Sequence, residues 1–137
     1  MALETTLMVE LETPVAFTCA DGTGIEKGAL LKLSNPATVA TTTGDTDAII
    51  GIAAEEKVAS DGKTTIAVYL RGIFKGYAGA AGVLVGMGII SDTATGAANE
   101  LVVADLNSEH IVGTALETAT DGQSFMFLLN TVHVQLA

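Results

Sequence analysis

Apolar and polar positions alternate with a period of two along much of this chain. In residues 64–70, Ile66, Val68 and Leu70 fall on one face and Thr65, Ala67 and Tyr69 on the other, the pattern of a half-buried strand. Runs rich in Val, Ile, Leu and Thr occupy residues 5–11, 29–33, 48–54, 64–73, 83–90, 101–104, 111–116 and 124–134. Each is bounded by Gly, Asn, Asp or Ser, as strands joined by turns are. Asp-Gly recurs at Asp21-Gly22, Asp61-Gly62 and Asp121-Gly122; it pairs a residue tolerant of positive φ with one that pays no steric penalty there. Ser34-Asn35-Pro36 and Thr43-Gly44-Asp45 mark further turns. No long amphipathic helix is predicted, although residues 55–59 and 104–110 have room for a short helical turn.

The pattern is built twice. Ile50-Gly51-Ile52-Ala53-Ala54-Glu55, then Asp61-Gly62-Lys63-Thr64 and an apolar strand, recurs as Val112-Gly113-Thr114-Ala115-Leu116-Glu117, then Asp121-Gly122-Gln123-Ser124 and another apolar strand. A Gly-led apolar run precedes each hairpin, at residues 28–33 and 82–87, giving half-repeats of about 28–75 and 82–134. Turn chemistry alone recreates Asp-Gly, so a chance likeness of two hairpins is the competing account. Two matched β units that cannot each close a core are expected to pack as one barrel or sandwich. The predicted class is therefore all-β, a single domain over residues 22–137. Residues 1–21 precede it as an extended N-terminal arm that adds a strand to a neighbour, or as the first strand of the chain's own barrel. In the arm reading, deleting residues 1–11 leaves a folded domain.

Composition narrows this picture. Apolar residues make up 49% of the 137 and aromatics 4%, with no Trp, so the core must be built mainly from Ala, Val, Ile and Leu. Six Lys and Arg face 16 Asp and Glu, for a net charge of −10; a polyanion would be repelled, and no nucleic-acid partner is expected. Every base lies before residue 76, so a surface built from the later half is predicted to be acidic. Cys19 is the only cysteine, which excludes an intrachain disulfide and reads as a small buried hydrophobe. The N-terminus has acids where a signal peptide carries bases, so secretion by that route is not expected. The most apolar stretch, residues 77–90, is shorter than the roughly 20 residues of a membrane span and is broken by four glycines. No membrane association is expected.

Chemistry-bearing patterns are few. Gly22-Thr23-Gly24 with Gly28 misses the dinucleotide spacing by one residue, and Lys27 precedes Gly rather than Ser or Thr. His110 and His133 lack metal-ligand spacing, and Asp45-Thr46-Asp47 lacks the glycine and terminal glutamate of an EF-hand loop. The serines sit in turns, outside any nucleophile elbow. No catalytic residue, metal ligand or cofactor site is predicted, and the chain is read as a non-enzyme. The apolar positions Leu7, Val9 and Leu11, set imperfectly against Glu4, Glu10 and Glu12, are candidate contacts for a partner. Phe74 and Tyr77, beside Gly72 and Gly76, are candidate interface anchors or ordinary core residues. Gly51, Asp61, Gly62, Gly113, Asp121 and Gly122 are expected to be structural turn positions.

The order Gly28-Ala29-Leu30-Leu31-Lys32-Leu33-Ser34, Ile49-Ile50-Gly51-Ile52-Ala53, Asp61-Gly62-Lys63, Gly72-Ile73-Phe74, then Ile111 to Glu117, Asp121-Gly122 and Phe125-Met126-Phe127-Leu128-Leu129 resembles the capsid cement (decoration) proteins of tailed bacteriophages. The resemblance covers roughly residues 22–130. It implies a compact β domain of the barrel or tulip kind that binds the outside of an expanded capsid and reinforces the joints between major capsid subunits. It also implies homotrimers at threefold or quasi-threefold positions, residence on the outer capsid surface of the virion, and a stay in the host cytoplasm during assembly. A carbohydrate-binding or host-adhesion module on a virion fibre is the alternative that the same β-rich, base-poor composition allows.

Overall fold

The computed structural model describes residues 4–42, 48–91, 99–104 and 110–133. Within them the chain is all-β, with eleven strands: β1 (Thr6–Glu10), β2 (Val15–Cys19), β3 (Leu30–Asn35), β4 (Thr38–Thr41), β5 (Ile49–Ala53), β6 (Thr65–Tyr69), β7 (Arg71–Ala78), β8 (Gly88–Ser91), β9 (Glu100–Val103), β10 (His110–Ala115) and β11 (Ser124–His133). The period-two segment at residues 64–70 is β6, with Ile66 and Val68 buried. Residues 55–59 contain no helical turn. Most of residues 104–110, the turn at residues 43–45 and the Asp45–Asp47 pair lie outside the described residues.

Ten strands form two five-stranded barrels of identical topology. In the first, β2-β4-β3-β5-β6 closes on itself. In the second, β7-β9-β8-β10-β11 does the same. Each has one parallel pair, β2 with β4 and β7 with β9, and is otherwise antiparallel. The expectation that the two units must share one closure is corrected: each unit closes alone, which removes its sheet edges. The first barrel also begins before residue 22, because β2 is one of its staves. Gly51 and Gly113, expected as turn positions, instead hold equivalent places within β5 and β10. A Cβ there would collide with the carbonyl of Tyr69 on the first side and of Leu128 on the second, so only glycine allows the adjacent strand to approach.

The repeat runs in a different register from the one read in the glycine pattern. Gly28 N–H donates to the Ala53 carbonyl and Gly86 N–H to the Ala115 carbonyl; Ile25 bridges Lys57 as Val83 bridges Ala119. Gly28 therefore matches Gly86, not Gly82, and residues 82–87 are a connection rather than a strand. Asp61-Gly62 and Asp121-Gly122 are turns with positive φ at the glycine, 88° and 81°, whereas Asp21-Gly22 turns without it.

The barrels share a seam. The larger core cluster joins Phe74, Phe125, Phe127, Leu129 and Leu101 of the second barrel to Leu30, Ile49 and Ile52 of the first. Leu30 N–H donates to Asn99 Oδ1 across that seam at 2.9 Å, both groups buried. β1 ties the two together from outside. It pairs antiparallel with β7 of the second barrel, and Thr5 just before it donates through both N–H and Oγ1 to the Gly28 carbonyl of the first. The N-terminal segment is extended, as expected, but it is spent within its own chain. Deleting residues 1–11 would strip a strand from β7 and uncover Gly28.

Candidate docking surfaces and a buried lysine clamp

β1 carries the first candidate surface. Thr6 pairs with Lys75, Leu7 with Phe74, Val9 with Ile73 and Glu10 with Gly72, so Met8 is an extra residue in a bulge. A bulge twists its strand and re-aims side chains: Leu7 packs against the shared core, while Met8, Val9 and Leu11 are exposed, with Val15 of β2 exposed in the same way. Of the positions expected to contact a partner, the structure leaves Val9 and Leu11 at the surface and turns Leu7 inward. Phe74 is 1% exposed and packs against Tyr69 and Phe127, the core alternative given above; Tyr77 is half-buried. Met8 and Val15 were not singled out in the sequence, because a bulge does not show in an alternation pattern.

A second apolar surface lies on the connection between β7 and β8. Leu84, Val85 and Met87 are exposed, and so is Leu116, at the end of β10. Residues 84–87 are held against that end by Gly86 N–H to the Ala115 carbonyl, Ala115 N–H to the Met87 carbonyl and Val85 N–H to Thr118 Oγ1 at 3.0 Å. Their signal was present as consecutive apolar residues without alternation, and it reads equally well as a buried strand.

A buried polar cluster centres on Lys57. Its side chain is 1% exposed, and its Nζ donates to Asp61 Oδ1 at 2.8 Å, Asp21 Oδ1 at 3.1 Å and the carbonyls of Asp21 and Val58 at 2.9 and 3.0 Å. Backbone N–H groups of Gly62 and Lys63 donate to the same two carboxylates. Burial alone would lower the ammonium pKa, but the hydrogen bonds it donates to Asp61 and Asp21, with the charges of those carboxylates, outweigh it, and the pKa lies above the ordinary lysine value. The Lys57 hydrogen bond, with the Lys63 N–H, lowers that of Asp61. Nearby Cys19 is buried, and burial pushes its thiol pKa up despite the Lys57 charge. A lysine held charged is no nucleophile, and a thiol held protonated is a poor one. This cluster closes one end of the first barrel. The spacing of Asp21, Lys57 and Asp61 gives no sequence motif, so it could not be read in advance.

No family model matches this chain, and no curated protein matches it. Among the described residues no group of three His, Cys, Asp or Glu side chains converges to hold a metal. A shallow cleft of about 490 Å³ at the seam is lined by Glu4, Thr5, Thr6, Leu7, Lys27 and Tyr69, and Thr5 there is committed to Gly28. Glu117 and Asp121 are exposed acids on the second barrel, whereas Glu100 is buried; Asp92, Asp105 and Glu109 lie outside the described residues.

Proposed function

We propose that this protein is a non-enzymatic virion component that binds the outer surface of a bacteriophage capsid and stabilises the joints between major capsid subunits. The reading rests on the resemblance of residues 22–130 to phage cement proteins. The observation that carries it is the bulged β1 with the residue that follows its end, which leaves Met8, Val9 and Leu11 as an exposed apolar strip on a scaffold of two closed barrels. Closed barrels resist shear between strands because each stave is paired on both sides. A strip of this kind contributes to a patch of about 800 Å² per partner that is weak alone and reinforced when several copies act together. Homotrimers at threefold or quasi-threefold positions supply that multivalency. The function requires no cofactor and no nucleic-acid contact; the place of action is the outer capsid surface, after assembly in the host cytoplasm.

A sugar-binding adhesion module normally offers an exposed ring to stack on a sugar face. All four Phe and both Tyr here are buried or half-buried, which favours the capsid reading. The test is co-sedimentation with expanded, undecorated capsids, comparing the wild type with the triple variant Met8→Ser, Val9→Thr, Leu11→Ser. The expected result is saturable binding by the wild type and at least tenfold weaker binding by a variant that elutes and melts as a folded protein. Unimpaired binding by the variant removes the strip from the account, and a wild type that does not bind removes the capsid.

A further inference from the structure

The hydrogen bonds between antiparallel strands lie perpendicular to them. A pull along the strand axis therefore loads every bond of a pair at once, whereas a pull at one end opens them one after another. Taken alone, each barrel is gripped in the second way. Tension enters the first barrel at Val15 and leaves it after Tyr69; Val15 is opposite Val68, so entry and exit lie at one end of the β2–β6 pair. Tension enters the second barrel at Arg71 and leaves it past Asn130, which is opposite Arg71, again at one end of the β7–β11 pair. β1 changes this. It runs antiparallel to β7, as β11 does, so β1 and β11 point the same way on either side of β7. Thr6 is opposite Lys75 while Asn130 is opposite Arg71, so pulls applied ahead of β1 and beyond β11 act towards opposite ends of β7. The point of entry is anchored in both barrels. Buried Thr5 donates through N–H and Oγ1 to the Gly28 carbonyl of the first, at 2.9 and 2.8 Å, and Leu7 packs against the shared core.

We propose that β1 is a tension-bearing latch, which lets the chain carry load along its own length by turning the peeling of two barrels into shear of the β1-β7-β11 unit. While the β1–β7 pair holds, the connection from β1 to β2 is outside the path of the force, and neither barrel is pulled open from one end. The pair and the two Thr5 bonds have to break together. Once they do, each barrel is gripped at one end only, so no resistance of equal strength remains behind the latch. This activity rests on strand order, register and the Thr5 contacts. It stands apart from the capsid reading, because contact with a surface through the exposed residues of β1 neither requires it nor supplies it.

The test stretches single molecules of one folded protein, the full chain carrying Glu12→Cys at an exposed position, from two different points. Both measurements share a handle at the C-terminus. The second handle is at the N-terminus in one, so that the force passes through β1, and at residue 12 in the other, so that it bypasses β1 and acts at the end of β7 where β11 also leaves. Native Cys19 is 2% exposed and out of reach of the thiol reagent that attaches the handle. Forced unfolding reads the barrier along the pulled path, and stability is common to both measurements because the protein is the same. The expected result is a rupture force at least threefold higher from the N-terminus than from residue 12 at equal pulling speed. After the N-terminal rupture both barrels should extend with no later force peak as high. Equal forces from the two points, or a later peak as high as the first, overturn the proposal.

Discussion

The two barrels share a strand order and differ in what fills them. The second is packed with three phenylalanines, Phe127 contacting both Phe74 and Phe125, and has buried Ala119 at the bridge to Val83. The first packs Cys19, Ile25, Ala29, Leu31, Val39, Ala53, Ile66 and Val68, with no buried aromatic, and has Lys57 where the second has Ala119. One topology is thus sealed by apolar packing in one copy and by a hydrogen-bonded ion cluster in the other. Apolar burial is indifferent to pH, whereas an ion cluster holds only while its charges persist. The first barrel also leans on the second, since its Leu30, Ile49 and Ile52 belong to the shared cluster. The second barrel is therefore the stable partner and the first the conditional one.

The largest effect expected from breaking this asymmetry is at Phe127. Phe127→Ala should cost about 3–5 kcal/mol and destabilise both barrels together, because the seam core loses its centre; chemical denaturation gives the value, and a loss confined to one barrel would contradict the shared core. Next is Gly113→Ala, expected to cost on the order of 3 kcal/mol because a Cβ meets the Leu128 carbonyl. Gly51→Ala should cost a similar amount against the Tyr69 carbonyl, which makes the pair a direct check that the barrels are equivalent. Lys57→Ala gives the first barrel the residue of the second without its packing, strands two carboxylates, and should lower the Tm by roughly 5–10 °C.

The smallest effect is the pH dependence. Asp61 has a lowered pKa in the fold, so its contribution is present above its ordinary value of 3.8 and is lost as pH falls through the lower folded value. Lys57 has a raised one, so its contribution is complete below 10.5 and is lost as pH rises through the higher folded value. Amide exchange should therefore show the first barrel losing protection at both extremes, and in Lys57→Ala that dependence should be absent. Because Asp61 is partly exposed, solvent screens the pair and the change should be modest.

Local patterns carried much of this fold. Period-two runs and Asp-Gly turns gave the all-β class, and the Gly51 and Gly113 motifs exposed the duplication because a close backbone approach demands glycine wherever it recurs. A β-barrel was expected and is found; that there are two, each closing by itself, was not legible. That closure depends on parallel pairing of β2 with β4 and β7 with β9, and β4, only four residues long behind Pro36, reads as part of a turn. Residues 64–73 read as one strand, yet the chain breaks at Leu70 and passes from one barrel to the next. The candidate surface was half-legible: Val9 and Leu11 stood out by alternation, whereas Met8 depends on a bulge and residues 84–87 on an equivalence visible only in hydrogen bonds.

The most direct test of the central claim is to add the purified protein to expanded, undecorated capsids and measure both bound copies and the temperature at which the shells break. The account predicts saturation at a fixed copy number per lattice unit and a higher disruption temperature. Shells that bind no protein, or that bind it without gaining resistance to heat, would contradict it.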